Sequence, residues 1–352
     1  MRTSTLVLAV LALAACSSHP PAPRTPEPQP KVEAPAAEAG TLPALTAREA
    51  HVAEELRRDV GHLAQKIGER NADKKWELAD AADWLVESFE AAGYSVARDG
   101  HEIDGVLLQN LAVEVRGGRS ARELVVVGAH YDSAKGSPGA NDNATGVAAV
   151  LALARRYRTA TPERTLRFVL FAHEEPPFFQ TDKMGSVLYA KGVRERGEQV
   201  VAMLSLESIG LYSDAPGSQR FPKELEGRYP SVGNFAAVVG NTESKELVDL
   251  VADGLNARST LPAKGAALPA SLPVAGWSDH WAFWQLGVPA VMVTDTAPFR
   301  DAHYHKPTDT PERLDFGRAA RLVVGLESVI AELTGDSFAP KADKKSKDVP
   351  LP

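Results

Sequence analysis

The chain has 352 residues, a formal net charge of −7, 44% hydrophobic residues and 7% aromatic residues. That length suffices for one large α/β domain with a sizeable core. The mild acidity argues against a nucleic-acid partner, which needs a basic face, and no apolar run beyond the N-terminus is long enough to span a bilayer.

Residues 1–15 read as a signal segment: Met1-Arg2 is a short basic start and Leu6 to Ala15 an apolar run. The run ends Leu13-Ala14-Ala15-Cys16, which resembles a bacterial lipobox. The resemblance implies cleavage before Cys16 and lipidation of its thiol. Cys16 is the only Cys, so the mature domain can form no disulfide, and its metal donors must be His and carboxylate. Residues 16–45 carry the Pro/Ala/Glu-rich run HPPAPRTPEPQPKVEAPAAEAG, too poor in apolar side chains to fold. It reads as a tether that holds the domain off a membrane. Ser17 is no inner-membrane retention signal, so the expected location is the bacterial envelope, outer membrane or periplasm.

The folded domain is expected over 46–335. Thr46 with Glu49 three residues on forms a capping-box pattern. A helix should run to about Arg70 with Val52, Leu56, Val60, Leu63 and Ile67 on one stripe. A second helix from about Trp76 carries Leu78, Ala82, Leu85 and Phe89 and stops at Gly93. Strands are expected at 94–98, 109–116, 124–129, 165–172, 200–206, 235–239 and 288–294. Helices are expected at 145–157, 184–196, 243–258 and 316–333. This alternation predicts a single-domain α/β three-layer sandwich: a mixed, mostly parallel central sheet with helices on both faces. Residues 336–352 read as a disordered tail.

Three apolar strands end in polar, chemistry-bearing residues. ELVVVGAHYDS delivers His130 and Asp132, two residues apart and so on one side of an extended chain. Asp132 can then accept from the far nitrogen of His130 and fix its tautomer. PGANDNATG presents Asp142 just before a helix. TLRFVLFAHEE delivers Glu174 and Glu175, which point to opposite sides in extended backbone, so that one can bind metal while the other handles a proton. MLSLES ends in Glu207, an acid out of character for a buried strand unless it meets a cation. Late in the chain, DAHYHKPTDT brings His303 and His305, between which spacing alone does not choose. Such donors beyond strand ends suit a divalent metal.

GAHYDS, PGANDNATGVAAVLALAR, the Glu-Glu pair, LSLESIG, WSDHWAFWQLGVPAVMVTDT and HYHKPTDTPERLDF stand in the order and spacing of the M28 metallopeptidases, which the chain resembles from about Leu78 to Leu333. The resemblance implies two zinc ions, with other divalent metals possible. One would be held by His130, Asp142 and Glu207, the other by Asp142, Glu175 and His305, with Asp142 bridging. It also implies Glu174 as general base, Asp132 as its catalytic companion beside His130, and a cis peptide after Asp142. Two features depart from the family pattern. Glu207 stands where many members carry Asp, and Pro-Pro-Phe-Phe follows Glu175. Phe178 and Phe179 are therefore candidates for the substrate pocket, core packing being the other reading. Tyr304 is a candidate for holding the oxyanion, and His280, in Ser-Asp-His, for supporting the site.

The expected function is a zinc-dependent exopeptidase, an aminopeptidase first, acting on peptides by activated water. Two alternatives are a glutaminyl-cyclase-like acyl transferase and a non-catalytic binding module on the same fold. Neither the preferred terminal residue nor the oligomeric state is legible from the sequence.

Overall fold

The computed structural model describes residues 42–103, 105–269 and 271–335. The signal segment, Cys16, the tether as far as residue 41 and the tail from 336 lie outside the described residues.

The first helix, α1 (Ala47–Gly61), begins where the capping box predicts. The Thr46 hydroxyl accepts from the Glu49 amide at 3.2 Å, and Glu49 Oε2 accepts from the Thr46 amide at 2.7 Å. Val52, Leu56 and Val60 bury one stripe, which continues to Leu63 in a wider helical turn, His62–Ile67. Helix α2 (Lys75–Ala91) buries Leu78, Ala82, Leu85 and Phe89, and the chain turns at Gly93, whose φ is 88°.

Eight strands form one mixed sheet: β1 (Ala97–Ile103), β2 (Val106–Val115), β3 (Ser120–His130), β4 (Arg164–Phe171), β5 (Gln199–Glu207), β6 (Ala236–Asn241), β7 (Ala263–Leu268) and β8 (Ala290–Thr294). Their order is β1-β2-β4-β3-β5-β8-β6-β7. The centre, β4-β3-β5-β8, is parallel, as is the β6-β7 pair, while β1, β2 and the β6-β8 pairing are antiparallel. The remaining helices are α3 (Gly146–Tyr157), α4 (Gly185–Glu195), α5 (Lys245–Arg258), α6 (His280–Trp284), α7 (Ala297–Arg300) and α8 (Phe316–Thr334).

Alternation along the strands divides the core. Val125, Val127 and Ala129 of β3 face the large cluster built with α1, α2, α3, α5 and α8. Leu124 and Val126 face the other side, with Met203 of β5, Ala290 of β8, α4 and α6. By the same alternation His130 and Glu207 emerge on that second face, at the carboxyl ends of two neighbouring parallel strands. Helices thus cover both faces of the central sheet, giving the α/β sandwich.

Some boundaries differ from the sequence pattern. The first strand begins at Ala97 and runs through Ile103, later and longer than 94–98, because it is an edge strand without apolar alternation. Strand β7, AKGAAL, and the short helices α6 and α7 carry too little periodicity to be read from sequence.

Candidate metal centre

The donor residues come from strand ends and from one loop late in the chain. His130 is the last residue of β3 and Glu207 the last of β5. Glu174 and Glu175 follow β4, after a reversal at His173, whose φ is 56°. Asp142 lies in the turn that leads into α3, and its peptide bond to Asn143 is cis. His305 lies in the loop between α7 and α8, also at positive φ, 57°.

Their side chains converge. His130 Nε2 lies 3.1 Å from Glu207 Oε2, 3.4 Å from Asp142 Oδ1 and 3.9 Å from Glu174 Oε2. His305 Nε2 lies 3.0 Å from Asp142 Oδ2 and 3.3 Å from Glu175 Oε2. Asp142 therefore turns one oxygen to each imidazole. Two three-donor groups result, His130/Asp142/Glu207 and Asp142/Glu175/His305, with donor atoms within 4.8 Å of one another in each. His130, Glu174 and Glu175 form a further such group. His303, by contrast, is turned to the surface, its Nδ1 2.7 Å from the Thr308 hydroxyl. The choice between the two late histidines is thus made by the loop's path.

Charge makes the cluster unusual. Asp142, Glu174, Glu175 and Glu207 are all buried. Burial pushes Glu174 well above the ordinary carboxylate range, with His130 opposing and Glu207 and Asp279 reinforcing the shift. Burial beside Asp142 and Glu174 raises Glu175 likewise, and burial raises Glu207. Burial acts in the same direction on Asp142, but the imidazoles of His130 and His305 beside it outweigh it and hold its carboxyl well below the usual range. Glu175 Oε1 and His305 Nε2 are buried without a hydrogen-bond partner. Buried acids packed this closely with two imidazoles, and with donor atoms left without a hydrogen-bond partner, match what a divalent cation requires.

A shell of polar groups fixes the donors. Asp132 faces His130 Nδ1 at 3.4 Å, and its two oxygens accept from the backbone amides of Glu174 (3.2 Å) and Glu175 (3.1 Å). One carboxylate thus sets the direction of three site residues. Ser278 and Ser208 donate to the two oxygens of Glu207, at 2.8 and 2.9 Å. Asn143 ties the Asp142 turn to β5, donating to the Leu206 carbonyl and accepting from the Ser208 amide. Asp309 accepts from the amides of Asn141 (2.8 Å) and Asp142 (3.2 Å). Arg70, fully buried, donates to the carbonyls of Tyr131, Pro138 and Gly139, and so staples the loop between Asp132 and Asp142. Ser278, Asp309 and Arg70 were not singled out from sequence. The first two stand inside recognisable motifs, whereas Arg70 binds only backbone carbonyls and leaves no pattern.

The other expected pocket residues divide between the pocket wall and its surroundings. Phe178 is stacked on His173, ring centroids 4.3 Å apart, which is packing rather than a place on the wall of the apolar pocket beside Glu207. Phe179 is half-buried beside it and is likewise off that wall. His280 is buried, with its Nε2 2.7 Å from the Ala275 carbonyl and its ring edge-on to Trp284, so it supports the site's surroundings and not the donors directly. Tyr304 stacks on His305 at 3.8 Å and does line the pocket.

An α/β sheet that gathers buried His and carboxylate donors at its carboxyl edge defines a site of the metallohydrolase kind. The chain belongs to peptidase family M28, whose family model matches residues 110–326. It is 36% identical over 286 residues to the uncharacterized protein YfbL of Escherichia coli, covering 79% of this chain and 87% of that one. It is 25% identical over 227 residues to aminopeptidase YwaD of Bacillus subtilis, covering 63% of this chain and 44% of that longer protein. The fold matches BSAP, a zinc aminopeptidase from Bacillus subtilis (TM-score 0.61, 14% identity, 80% of this chain and 95% of that one). It matches Fimbriiglobus ruber glutaminyl cyclase comparably (TM-score 0.58, 19% identity, 79% and 94%).

Proposed function

We propose that the protein is a zinc-dependent aminopeptidase that cleaves peptides with an activated water. The observation that carries this reading is the divided carboxylate of Asp142, one oxygen toward His130 and Glu207, the other toward His305 and Glu175. His130, Asp142 and Glu207 would hold one ion, and Asp142, Glu175 and His305 the other. When bound, the metal ions supply Lewis acidity to the scissile carbonyl and acidify water.

The chain's own residues carry the rest. Glu174 takes the proton from the attacking water and passes it to the departing amine. Its burial beside Glu207 and Asp279 favours the protonated form, which suits the second half of that task. Asp132 fixes the Glu174 and Glu175 backbone and the ring of His130, so that the donors and the base keep one geometry. Tyr304, which lines the pocket and stacks on His305, would donate to the oxyanion. The sequence relative named an aminopeptidase supports release of N-terminal residues. Lipidation at Cys16 would tether this activity to the bacterial envelope.

A second reading is acyl transfer that cyclises N-terminal glutamine, since a glutaminyl cyclase shares the fold to a similar degree. One experiment separates the two. The full chain, zinc-loaded or treated with chelator, is incubated with free and N-blocked peptides and with peptides beginning in Gln. Release of free N-terminal residues that chelator abolishes supports the peptidase. Loss of ammonia from Gln peptides without hydrolysis overturns it in favour of the cyclase. No turnover by protein carrying metal leaves a binding module.

A further inference from the structure

The metal donors share their sheet face with an apolar trough. Glu207 of β5 pairs with Thr294 of β8, Thr294 with Ala237 of β6, and Ala237 with Lys264 of β7. Laterally paired residues project from the same face of a sheet. Lys264 therefore stands on the face of Glu207, three strand spacings away, or about 14 Å between backbones. The two residues between them, Thr294 and Ala237, are small and leave the row open.

The next row, Met292, Val239 and Ala266, floors the trough, and Phe221, Leu225 and Phe299 wall it. It encloses about 790 Å³ including its open mouth, beside Glu207 and Tyr304. Its polar liners are few. Gln219 is committed, its Oε1 accepting from Arg300 and its amide donating to Thr296. Glu207 belongs to the donor cluster. At the far end Lys264 is half-buried, and among the described residues no ion pair involves it.

We infer that this trough takes the side chain on the amino side of the cleaved bond, and that Lys264 sets its charge preference: long apolar side chains enter and cationic ones are refused. The inference rests on the peptidase reading for the identity of its ligand. Its physical basis does not depend on that reading. A lysine or arginine side chain entering between apolar walls would leave water and meet a second ammonium at the trough's end, with no carboxylate there to pair it. A leucine, methionine or phenylalanine side chain would meet only hydrocarbon and the stem of Lys264.

The test uses the zinc-loaded full chain, with Lys264→Glu and Lys264→Met, on aminoacyl anilides of Leu, Phe, Met, Lys and Arg. Binding of the corresponding amino-acid amides is measured in parallel by calorimetry, with and without zinc. Wild type should favour Leu, Phe and Met over Lys and Arg. Lys264→Glu should raise the Lys-to-Leu ratio of kcat/KM about tenfold or more, and Lys264→Met should raise it by less. An unchanged ratio in Lys264→Glu overturns the inference. If no anilide is turned over, the amides decide. Binding whose order shifts with Lys264 keeps the inference and sinks the peptidase reading, while binding indifferent to Lys264 sinks the inference itself.

Discussion

At the scale of single residues, neighbouring side chains have opposite assignments. Glu174 and Glu175 are adjacent, yet Glu175 lies 3.3 Å from His305 while Glu174 faces His130 at 3.9 Å. Glu174→Gln keeps size and removes the basic oxygen, so it should lower kcat by about 10²- to 10⁴-fold while bound zinc, counted by elemental analysis, stays at the wild-type level. His305→Ala should lose zinc, whereas His303→Ala, whose ring is bonded to Thr308 at the surface, should keep both zinc and activity. Asp132→Asn should cost about 10- to 100-fold in metal affinity or activity, because the amide cannot accept from both the Glu174 and Glu175 amides and also face the His130 ring with negative charge as the carboxylate does. What sequence could reveal here follows from what each residue binds. Donors at strand ends interrupt an apolar pattern and are conspicuous. Between His303 and His305 the pattern is silent, and the resemblance to a family had to choose. Arg70 was invisible because its partners are carbonyls, which every residue has.

At the scale of elements, local chemistry was legible wherever it was self-contained. The Thr46/Glu49 capping box is closed within one turn, and Thr46→Ala should destabilise the domain by about 1 kcal/mol, read as a lower urea midpoint with unchanged slope. The long helices declared themselves by their stripes. Strand β7 did not, and the first strand, expected at 94–98, lies at Ala97–Ile103, because both are edge strands whose identity depends on one partner apiece. Strand β7 needs β6 beside it before AKGAAL means anything, and with it went the position of Lys264. For Phe178 the sequence left pocket and core packing both open for a related reason. The residue follows a Pro-Pro turn, and only the fold shows that it folds back on His173.

For the molecule as a whole, the buried acids make stability and metal interdependent. In the metal-free fold, burial holds Glu174, Glu175 and Glu207 above their ordinary value of 4.5. Below that value the carboxyls are protonated in folded and unfolded chains alike. As pH rises through it, the unfolded chain releases protons before the folded one does, and the metal-free fold loses stability up to the raised folded values. Metal binding has the opposite slope, since it needs the carboxylates ionised. Chelator should therefore lower Tm more at about pH 8 than at about pH 5.5. At free zinc about 100-fold above Kd, the loaded protein should gain about 3 kcal/mol per occupied site over the chelated one. A Tm difference independent of pH would mean that these carboxyls are not the groups that meet the cation.

The order in which the donors occur along the chain has a consequence for biosynthesis. Each acid of the cluster lies on or before β5, and His305, which faces two of them, comes after β8. A chain growing from its N-terminus presents the carboxylates first and the last imidazole only near its end. Parallel pairing between sequence-distant strands already makes such a sheet slow to close, and here the nascent domain must also carry its four acids without the last imidazole while the stretch from Glu207 to His305 is made. A product cut short before β8 would hold five of the six implicated side chains and lack the one that completes the second group, so nascent truncations should be poor competitors for zinc with the finished protein.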